Sequence, residues 1–457
     1  MQIAWSLWLE NRRAIGGPEN TNENAANGVR DMNKTVLASG VLASLVTVTT
    51  PAMAQTATIN GADTAWVLVA TCLVIMMTIP GLALFYGGLV RKKNVLSTLM
   101  QSFVSCCLLS LLWIFVGYSL AFSGGNPWIG DTAKFFLIGV TKDSVTGTIP
   151  ETLFMTFQMS FAIITPAIIC GAFADRMKFS SLLWFLSIGL LVVYVPVAHW
   201  VWGGGFLSKM GFLDFAGGSV VEINCGIAGL VAAIMLGKRR GFPQEPMIPH
   251  NLILSVTGAS LLWVGWLAFN GGSALSANAV AAFALMNTQI AGAAGAMGWL
   301  VIEWYRHKKP SVLGIISGAV AGLVAITPSC AFVSPMGAIA IGFLAGVGCF
   351  YASSSLKRKF GYDDSLDVFG VHGIGGFIGT IGIGVFGSAA WGGTSGLLEG
   401  NPAQLWTQIL GSVMVAAWCA IATFAMLWVI EKLQGLRVSR EIEVEGLDLG
   451  LHGEVVT

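Results

Sequence analysis

The sequence predicts an all-α membrane protein with eleven transmembrane helices, arranged as two inverted five-helix repeats plus a final helix. Three observations predict this fold: an apolar composition, long apolar stretches at regular intervals, and basic residues concentrated on one side of the predicted membrane. Of the 457 residues, 55% are hydrophobic and only 10% are charged, against about 25% charged in an average soluble domain. A soluble fold could not bury so much apolar surface, so most of the chain is expected to lie in lipid.

Other features of the composition agree with membrane helices. Glycine (58 residues) and tryptophan (16 residues) are abundant, as in closely packed helices and in aromatic belts at the lipid–water interface. The net charge is about +1, so no nucleic acid or other polyanionic partner is indicated. The cysteines lie in apolar runs without CxxC spacing, which predicts buried, inert thiols rather than disulfides or a metal site. They are Cys72, Cys106, Cys107, Cys170, Cys225, Cys330, Cys349 and Cys419.

The N-terminal 54 residues are expected to lie outside the membrane fold. Residues 1–31 are polar and asparagine-rich, which indicates a disordered tail or an extended gene start. From Met32, a short basic region, an apolar run and an Ala-Met-Ala site form the pattern of a cleavable signal peptide, predicted over 32–54. Synthesis could begin at Met1 or at Met32. An uncleaved first helix is the alternative, and the cleavage site argues against it.

Eleven apolar stretches follow, each long enough for a bilayer core that needs about 20 helical residues. They place an eleven-helix membrane domain at 55–434 and a C-terminal tail, predicted to be cytoplasmic, at 435–457. The stretches are 63–90, 94–122, 151–174, 179–201, 217–237, 250–270, 277–304, 311–328, 335–353, 367–388 and 404–430.

The loops test this count independently. Seventeen Lys and Arg residues follow odd-numbered stretches, and only Lys134, Lys142 and Lys209 lie on the other side. Because basic loops stay in the cytoplasm, the C-terminus is predicted to be cytoplasmic. The N-terminus is predicted to be periplasmic after signal cleavage, in a multi-pass protein of the cell inner membrane.

Stretches one to five (63–237) and six to ten (250–388) carry matching motifs in the same order, whereas stretch eleven (404–430) stands outside the repeat. Since each repeat has an odd number of spans, the second is inverted, and a pathway is expected at their interface near the midplane. Two of the matching motifs are Phe85-Tyr86-Gly87-Gly88 with Phe269-Asn270-Gly271-Gly272, and Ile164-Thr165-Pro166 with Ile326-Thr327-Pro328. Glu222 also matches His372, and each of these two residues is followed by glycines four and seven residues later.

Few ionisable residues lie inside the predicted spans, and such residues by default mark a pathway. Glu222 in span five and His372 in span ten are expected to lie along one channel, where they could accept N–H bonds or share a proton. The alternative is a structural buried pair that locks the repeats together. Asp214 and Asp367 lie at the starts of the same spans, where we expect carboxylates that cap helix N-termini.

Aromatic side chains supply candidate binding surfaces for a monovalent cation. Phe157 and Phe161 are one helical turn apart on span three, and Trp202 precedes three glycines at the end of span four. Span six presents a further set on one face: Trp266, Phe269 and Ser273. Cation–π attraction contributes about 0.5–2 kcal/mol per ring, enough to concentrate a cation without trapping it.

Five segments resemble the signature stretches of the ammonium transporter (Amt/Mep/Rh) family, in order and at family-like spacing. They are VPVAHWVWGGG, LDFAGGSVVEIN, GWLAFNGGSA, ITPSCAFV and DVFGVHGIGG. The resemblance extends from about Asp63 to the C-terminus. It implies the ammonium transporter fold, a homotrimer with one pore per subunit, and transport of ammonium or ammonia, with methylammonium as a further candidate substrate.

The resemblance also implies roles for the aromatic residues of the outer side. Phe157, Trp202 and Ser273 would form an ammonium-recruitment site. Phe161 and Phe269 would form a stacked gate below it.

For the pore, the resemblance implies that His372 is the inner of two paired histidines and that Trp266 and Ser317 line the passage. Asp214 would support the outer site. Glu222 departs from the family pattern, because most members have histidine at this position. We expect a carboxylate–imidazole pair to alter rate, pH dependence or selectivity rather than to abolish transport.

The C-terminal tail (Gly435 to Thr457) resembles the cytoplasmic C-terminus of the bacterial members, which implies packing beneath the pores and a PII-type signal protein as partner. A flexible acidic tail is the alternative. Apolar residues favour packing, because they are unusual in a solvated linker: Leu436, Val438, Ile442, Val444 and Leu447.

Three other function classes were compared with an ammonium conduit. An enzyme is not expected, because the sequence has no nucleotide loop, metal-ligand spacing or nucleophile–base pair, and no cofactor is implied. An ammonium sensor would normally carry an added signalling domain. A channel for another monovalent cation is the remaining alternative, although no carbonyl-lined filter sequence is present.

Overall fold

The computed structural model describes residues 58–456, which form an all-α structure. The expected tail at 1–31 and the signal peptide at 32–54 lie outside the described residues. Within the described part, ten helices are long and apolar enough to cross a membrane, and an eleventh, α8, is apolar but only 15 residues long. The predicted eleven-helix membrane fold is thereby confirmed. The helices are α1 (Gly61–Leu89), α2 (Lys92–Phe122), α3 (Glu151–Phe173), α4 (Phe179–Lys209), α5 (Gly218–Leu236), α6 (Leu252–Gly272), α7 (Ala279–His307), α8 (Val312–Ile326), α9 (Pro335–Phe360), α10 (Phe369–Phe386) and α11 (Pro402–Gln434).

Small elements connect and follow these helices. A two-stranded antiparallel hairpin, β1 (Val145–Thr146) with β2 (Ile149–Pro150), lies in the connection between α2 and α3. One helical turn at Ala389–Gly392 lies between α10 and α11. After α11, a short helix α12 (Arg440–Glu445) belongs to the C-terminal tail.

Helices α3, α5 and α10 form the buried centre, whereas most residues of α2 and α11 are not buried. Glycines let α5 and α10 approach closely: a Cβ atom on Gly226 would lie 2.2 Å from the Gly373 Cα atom. In α10, a Cβ atom on Gly379 would lie 1.8 Å from the carbonyl oxygen of Ala325 in α8. Such contacts are how membrane helices gain packing energy where lipid offers no hydrophobic driving force.

The two repeats exchange backbone hydrogen bonds in the same way. Before α5, the Phe215 amide donates to the Pro328 carbonyl just after α8 (3.0 Å). Before α10, the Leu366 amide donates to the Gly171 carbonyl near the end of α3 (3.1 Å). Since α3 and α8 occupy equivalent places in the two repeats, each repeat supports the entry to the other repeat's last helix.

A buried ion-pair network lies on the side of the helices that is predicted to face the cytoplasm. Arg239 donates two hydrogen bonds to the Asp363 carboxylate, at 2.9 and 2.7 Å. Buried Arg176 donates to the Asp363 carbonyl at 2.6 Å. Burial acts to raise the pKa of the Asp363 carboxyl, but the hydrogen bonds and charge of Arg239 outweigh it and lower the pKa. The carboxylate is therefore held in its charged form.

The C-terminal tail packs against the helix ends on the same side as this network. The Asp448 carboxylate accepts hydrogen bonds from the Leu96 and Ser97 amides in the first turn of α2, at 3.0 and 2.8 Å. Leu436 and Leu447 are each 1% exposed. These contacts agree with the packed tail and contradict the flexible-tail alternative, although Val444 is exposed.

Replacing Asp363 with alanine is expected to destabilise the protein strongly, because Arg239 would be left buried without its carboxylate partner. Breaking one side of a buried pair typically costs about 3–5 kcal/mol. The thermal unfolding midpoint of the purified protein in detergent measures this effect. Asp143→Ala is the matched control, since Asp143 pairs with Lys142 at an exposed position and should shift the midpoint little. Equal shifts for the two variants would contradict the role assigned to the network.

Candidate functional site

An aromatic cavity of about 280 Å³, the outer cavity, opens on the side that is predicted to face the periplasm. Trp202 and Ser273, two of the three expected recruitment residues, lie in its wall. The third, Phe157, does not border the cavity: it is 1% exposed and packs in ring contact with Phe161, centroid to centroid 5.0 Å. Residues that the sequence did not single out complete the wall: Phe122, Phe154, Gln158, Val201, Phe215 and Leu275.

The two expected gate residues lie against each other. The ring centroids of Phe161 and Phe269 are 4.2 Å apart with the planes inclined by 34°. Phe161 also meets the Trp202 ring edge to face, at 5.8 Å and 88°. Because Phe161 borders the outer cavity and Phe269 is 1% exposed, the ring pair closes the inner end of that cavity.

A narrow apolar gap lies beyond the ring pair. Its volume is about 10 Å³, and Trp266 and His372 are in its wall together with aliphatic side chains of α1, α3 and α6. The Trp266 indole N–H donates to the Thr327 hydroxyl at 2.7 Å. This bond satisfies the only polar group of the ring, so Trp266 presents an apolar surface to the gap.

Glu222 and His372 meet at the centre of the molecule. The distance from His372 Nδ1 to Glu222 Oε2 is 2.7 Å. His372 is 5% exposed and Glu222 is 0% exposed. The second carboxylate oxygen, Oε1, is buried without a hydrogen-bond partner among the described residues. Each residue lies in a π-helical turn, Gly218–Ile223 in α5 and Phe369–Gly373 in α10, a feature often found at functional sites.

A larger cavity of about 420 Å³, the cytoplasmic cavity, leads from His372 towards the helix ends that are predicted to face the cytoplasm. Ser317 lies in its wall, as does Tyr86 of α1. Both signs of charge line it, with the carboxylates of Glu245, Glu303 and Asp367 and the cations Arg239 and Lys357. His372 thus borders both the narrow gap and the cytoplasmic cavity.

The start of α5 is held by Asp214. Its carboxylate accepts bonds from the amides of Gly217, Gly218 and Ser219, each at 2.7 Å. Four backbone N–H groups have no partner within a helix at its N-terminus, and a carboxylate there both satisfies them and complements the helix dipole.

At α10, the expectation that Asp367 caps the helix was wrong. Asp364 accepts from the Val368 and Phe369 amides at 3.1 and 2.8 Å, whereas Asp367 accepts a 2.6 Å bond from Lys357. Asp367 has a left-handed backbone, with φ of 60°, and lies in the turn. Burial, and then the nearby Asp367 charge, raises the pKa of the Asp364 carboxyl to about 6.

The repeat itself carries the signal that would have found Asp364. Glu222 and His372 are 150 positions apart, and the same offset takes Asp214 to Asp364 rather than to Asp367. No pattern in the sequence indicates the role of Thr327 in orienting Trp266. Their hydrogen bond joins α6 to the end of α8 and depends on tertiary packing.

Comparisons with known proteins agree with this architecture. The Ammonium Transporter Family pattern matches residues 65–457. The chain is 49% identical to an ammonium transporter of Bacillus subtilis, over 86% of this chain and 97% of that protein. It is equally similar, at 49%, to an ammonium transporter of Aquifex aeolicus, over 88% of this chain and 95% of that protein.

Solved structures give the same result. Mep2 of Saccharomyces cerevisiae is 36% identical with a TM-score of 0.77, over 84% of this chain and 88% of that one. A structure titled Sensor Amt Protein is 30% identical with a TM-score of 0.80, over 86% of this chain and 98% of that one. The sequence match, the relatives and the shared fold together establish that this chain belongs to the ammonium transporter family.

Proposed function

We propose that this protein conducts ammonium or ammonia across the cell inner membrane, through the passage between the outer aromatic cavity and the cytoplasmic cavity. The observation that carries the proposal is the buried Glu222–His372 pair, with a 2.7 Å contact, placed between the Phe161–Phe269 ring pair and the cytoplasmic cavity. Both side chains offer lone pairs to an N–H donor. An alkali cation has no such donors, so the pair suits ammonium or ammonia better.

The outer cavity serves as the recruitment site in this proposal. Trp202 and Ser273 contact the arriving cation, and Phe157 supports Phe161 from behind. Ring faces attract a cation by about 0.5–2 kcal/mol each, which concentrates it at the entrance. The hydroxyl of Ser273 adds an oxygen that can accept an N–H bond.

The ring pair then acts as the gate, and the Glu222–His372 pair receives the substrate below it. Phe161 and Phe269 have to separate for passage, because their centroids are only 4.2 Å apart. Glu222 and His372 accept N–H bonds and can exchange a proton between carboxylate and imidazole. Trp266 keeps the gap apolar, and Ser317 lies on the route into the cytoplasmic cavity.

We further infer a homotrimer with one pore per subunit, a cytoplasmic C-terminus, and a PII-type signal protein as partner at the cytoplasmic face. The packed tail supports the last inference. Lys93 donates to the Glu443 carbonyl at 3.1 Å, and Arg437 pairs with the Glu443 carboxylate at 2.8 Å. A protein that binds this face would therefore contact a preformed surface rather than a loose segment.

An ammonium sensor is the second candidate function. The observation in its favour is the likeness to the structure titled Sensor Amt Protein, at a TM-score of 0.80. Measurable flux through the purified protein separates a conduit from a receptor that only binds.

Reconstituted protein is expected to carry ammonium-dependent current and no comparable potassium current. His372→Ala should reduce the ammonium current at least tenfold, because Glu222 would then be left buried and unpaired in the passage. Electrophysiology on proteoliposomes measures both. The control is His250→Ala, at a half-buried histidine near the cytoplasmic end of α6, which should conduct like wild type. A potassium current equal to the ammonium current would refute the proposal.

Trp202→Ala is expected to weaken the apparent affinity for ammonium by about 2- to 30-fold, the equivalent of one lost cation–π contact. The concentration dependence of the ammonium current gives this value. Trp202→Phe keeps a ring face and should lie between alanine and wild type. Trp184→Ala changes a tryptophan on the same helix that is 55% exposed, and it should have no effect. An unaltered affinity in Trp202→Ala would exclude the outer site.

Glu222→His is expected to keep transport but to change its pH profile. A second imidazole takes up a proton between about pH 5 and pH 7 and then repels a cation, so the variant's current should fall more steeply in acid than that of wild type. Ammonium-dependent current recorded across external pH tests this expectation. Superimposable profiles for the two proteins would show that the carboxylate has no special role.

A further inference from the structure

A third ligating side chain lies beside the Glu222–His372 pair. Cys225 follows Glu222 on α5 by three residues, and one ligand atom from each of Cys225, Glu222 and His372 lies within 4.8 Å of the other two. Cys225 and Glu222 are 0% exposed. Among the described residues, the Cys225 thiol makes one hydrogen bond, to the Glu222 carbonyl at 3.4 Å. A thiol, a carboxylate and an imidazole thus converge on one point.

The donor set matches a soft or borderline divalent cation. Zinc binds thiolate sulfur at about 2.3 Å and imidazole nitrogen or carboxylate oxygen at about 2.0–2.2 Å, so the ligand atoms of a tetrahedral site lie about 3.3–3.8 Å apart. The 2.7 Å between His372 Nδ1 and Glu222 Oε2 is shorter than this spacing, whereas the limit for the whole cluster is 4.8 Å. A cation that enters therefore has to part the carboxylate from the imidazole. Glu222 Oε1, which is buried and has no hydrogen-bond partner within the described part of the chain, supplies a free lone pair at the same place.

We propose that Glu222, Cys225 and His372 form a site for Zn²⁺ or Cd²⁺, and that the bound cation blocks the passage. Thiolate and carboxylate together neutralise a divalent cation, which lowers the cost of holding it in an apolar interior. The thiol gives up its proton on binding, and that proton leaves through the cytoplasmic cavity. The bound cation occupies the lone pairs that would otherwise accept N–H bonds.

The cation reaches this site from the cytoplasmic side. His372 lies in the wall of the 420 Å³ cavity, whereas from outside the Phe161–Phe269 ring pair and the 10 Å³ gap stand in the way. Carboxylates of Glu245 and Glu303 line the same cavity and can take up a hydrated cation before it is stripped of water.

The site differs from the expectation that all the cysteines are inert. Metal-site reasoning from sequence relies on short spacings such as CxxC, and here His372 comes from the other repeat, 150 positions after Glu222. Only the antiparallel approach of α5 and α10 brings the three ligands together.

Binding is tested directly by titrating the purified protein with Cd²⁺ and recording the thiolate-to-metal charge-transfer absorption. Wild type should give a saturable signal with one cation per chain, and Cys225→Ser should lose it. Cys349→Ser is the matched control: Cys349 is also buried, its thiol contacts the Val371 carbonyl at 3.6 Å, and it does not belong to the three-ligand cluster. An unchanged signal in Cys225→Ser, or one lost equally in Cys349→Ser, would overturn the site.

The block is tested by ammonium flux in proteoliposomes with Cd²⁺ supplied to the cytoplasmic face. The proposed block rests on the proposed transport function, whereas the absorption measurement of Cd²⁺ binding does not. Failure of the block and failure of the binding site can therefore be distinguished. Cys225→Ser should transport like wild type without Cd²⁺, which also shows that it folds, and should need at least tenfold more Cd²⁺ for half-inhibition. Equal inhibition of the two proteins, or Cd²⁺ binding without inhibition, would refute the block. Should Cys225→Ser fail to fold, Cys225→Ala replaces it in both measurements.

Discussion

The close contact between α5 and α10 is the constraint on which the rest of the site depends. Gly226 lies against Gly373, and Gly376 lies against Glu222, where an added Cβ atom would come within 2.2 and 2.9 Å of its neighbour. Only at this separation can a carboxylate on one helix reach an imidazole on the other at 2.7 Å. A larger residue at either glycine would part the helices and leave both polar groups unpaired in an apolar interior.

Two carboxylates fix where these helices begin. Asp214 and Asp364 lie at equivalent places in the two repeats and bind the first amides of α5 and α10. Because α5 and α10 start within the protein, water does not satisfy their terminal N–H groups, and the caps replace it. Glu222 and His372 each lie eight residues after the carboxylate that caps their helix. The position of the capped turn therefore sets where along the helix axis each of these side chains lies.

The sequence was sufficient for the fold and for part of the site. Apolar segment length and basic loops depend on the lipid environment and not on contacts between helices, so they predicted the ends of α3 to within one residue and those of α11 to within four. Site geometry depends on packing between distant elements. The Thr327 bond to Trp266, the recessed position of Phe157, and Cys225 beside His372 have no local pattern. Asp367 was chosen because it lies nearest to α10, yet the repeat offset points to Asp364.

The inverted repeat explains why a polar pair can persist at the centre of so apolar a molecule. Inversion makes α5 and α10 run antiparallel, with Gly376 against Gly218 and Gly229 against Val368, so Glu222 and His372 meet between the two helix N-termini. Each cap carboxylate accepts hydrogen bonds from several amides, and its charge offsets the dipole of the helix that it caps. Glu222 is different, because one of its oxygens has no partner among the described residues. Two imidazoles at this contact would offer only ring nitrogens, whereas an acid opposite a base leaves a carboxylate oxygen free to accept a hydrogen bond.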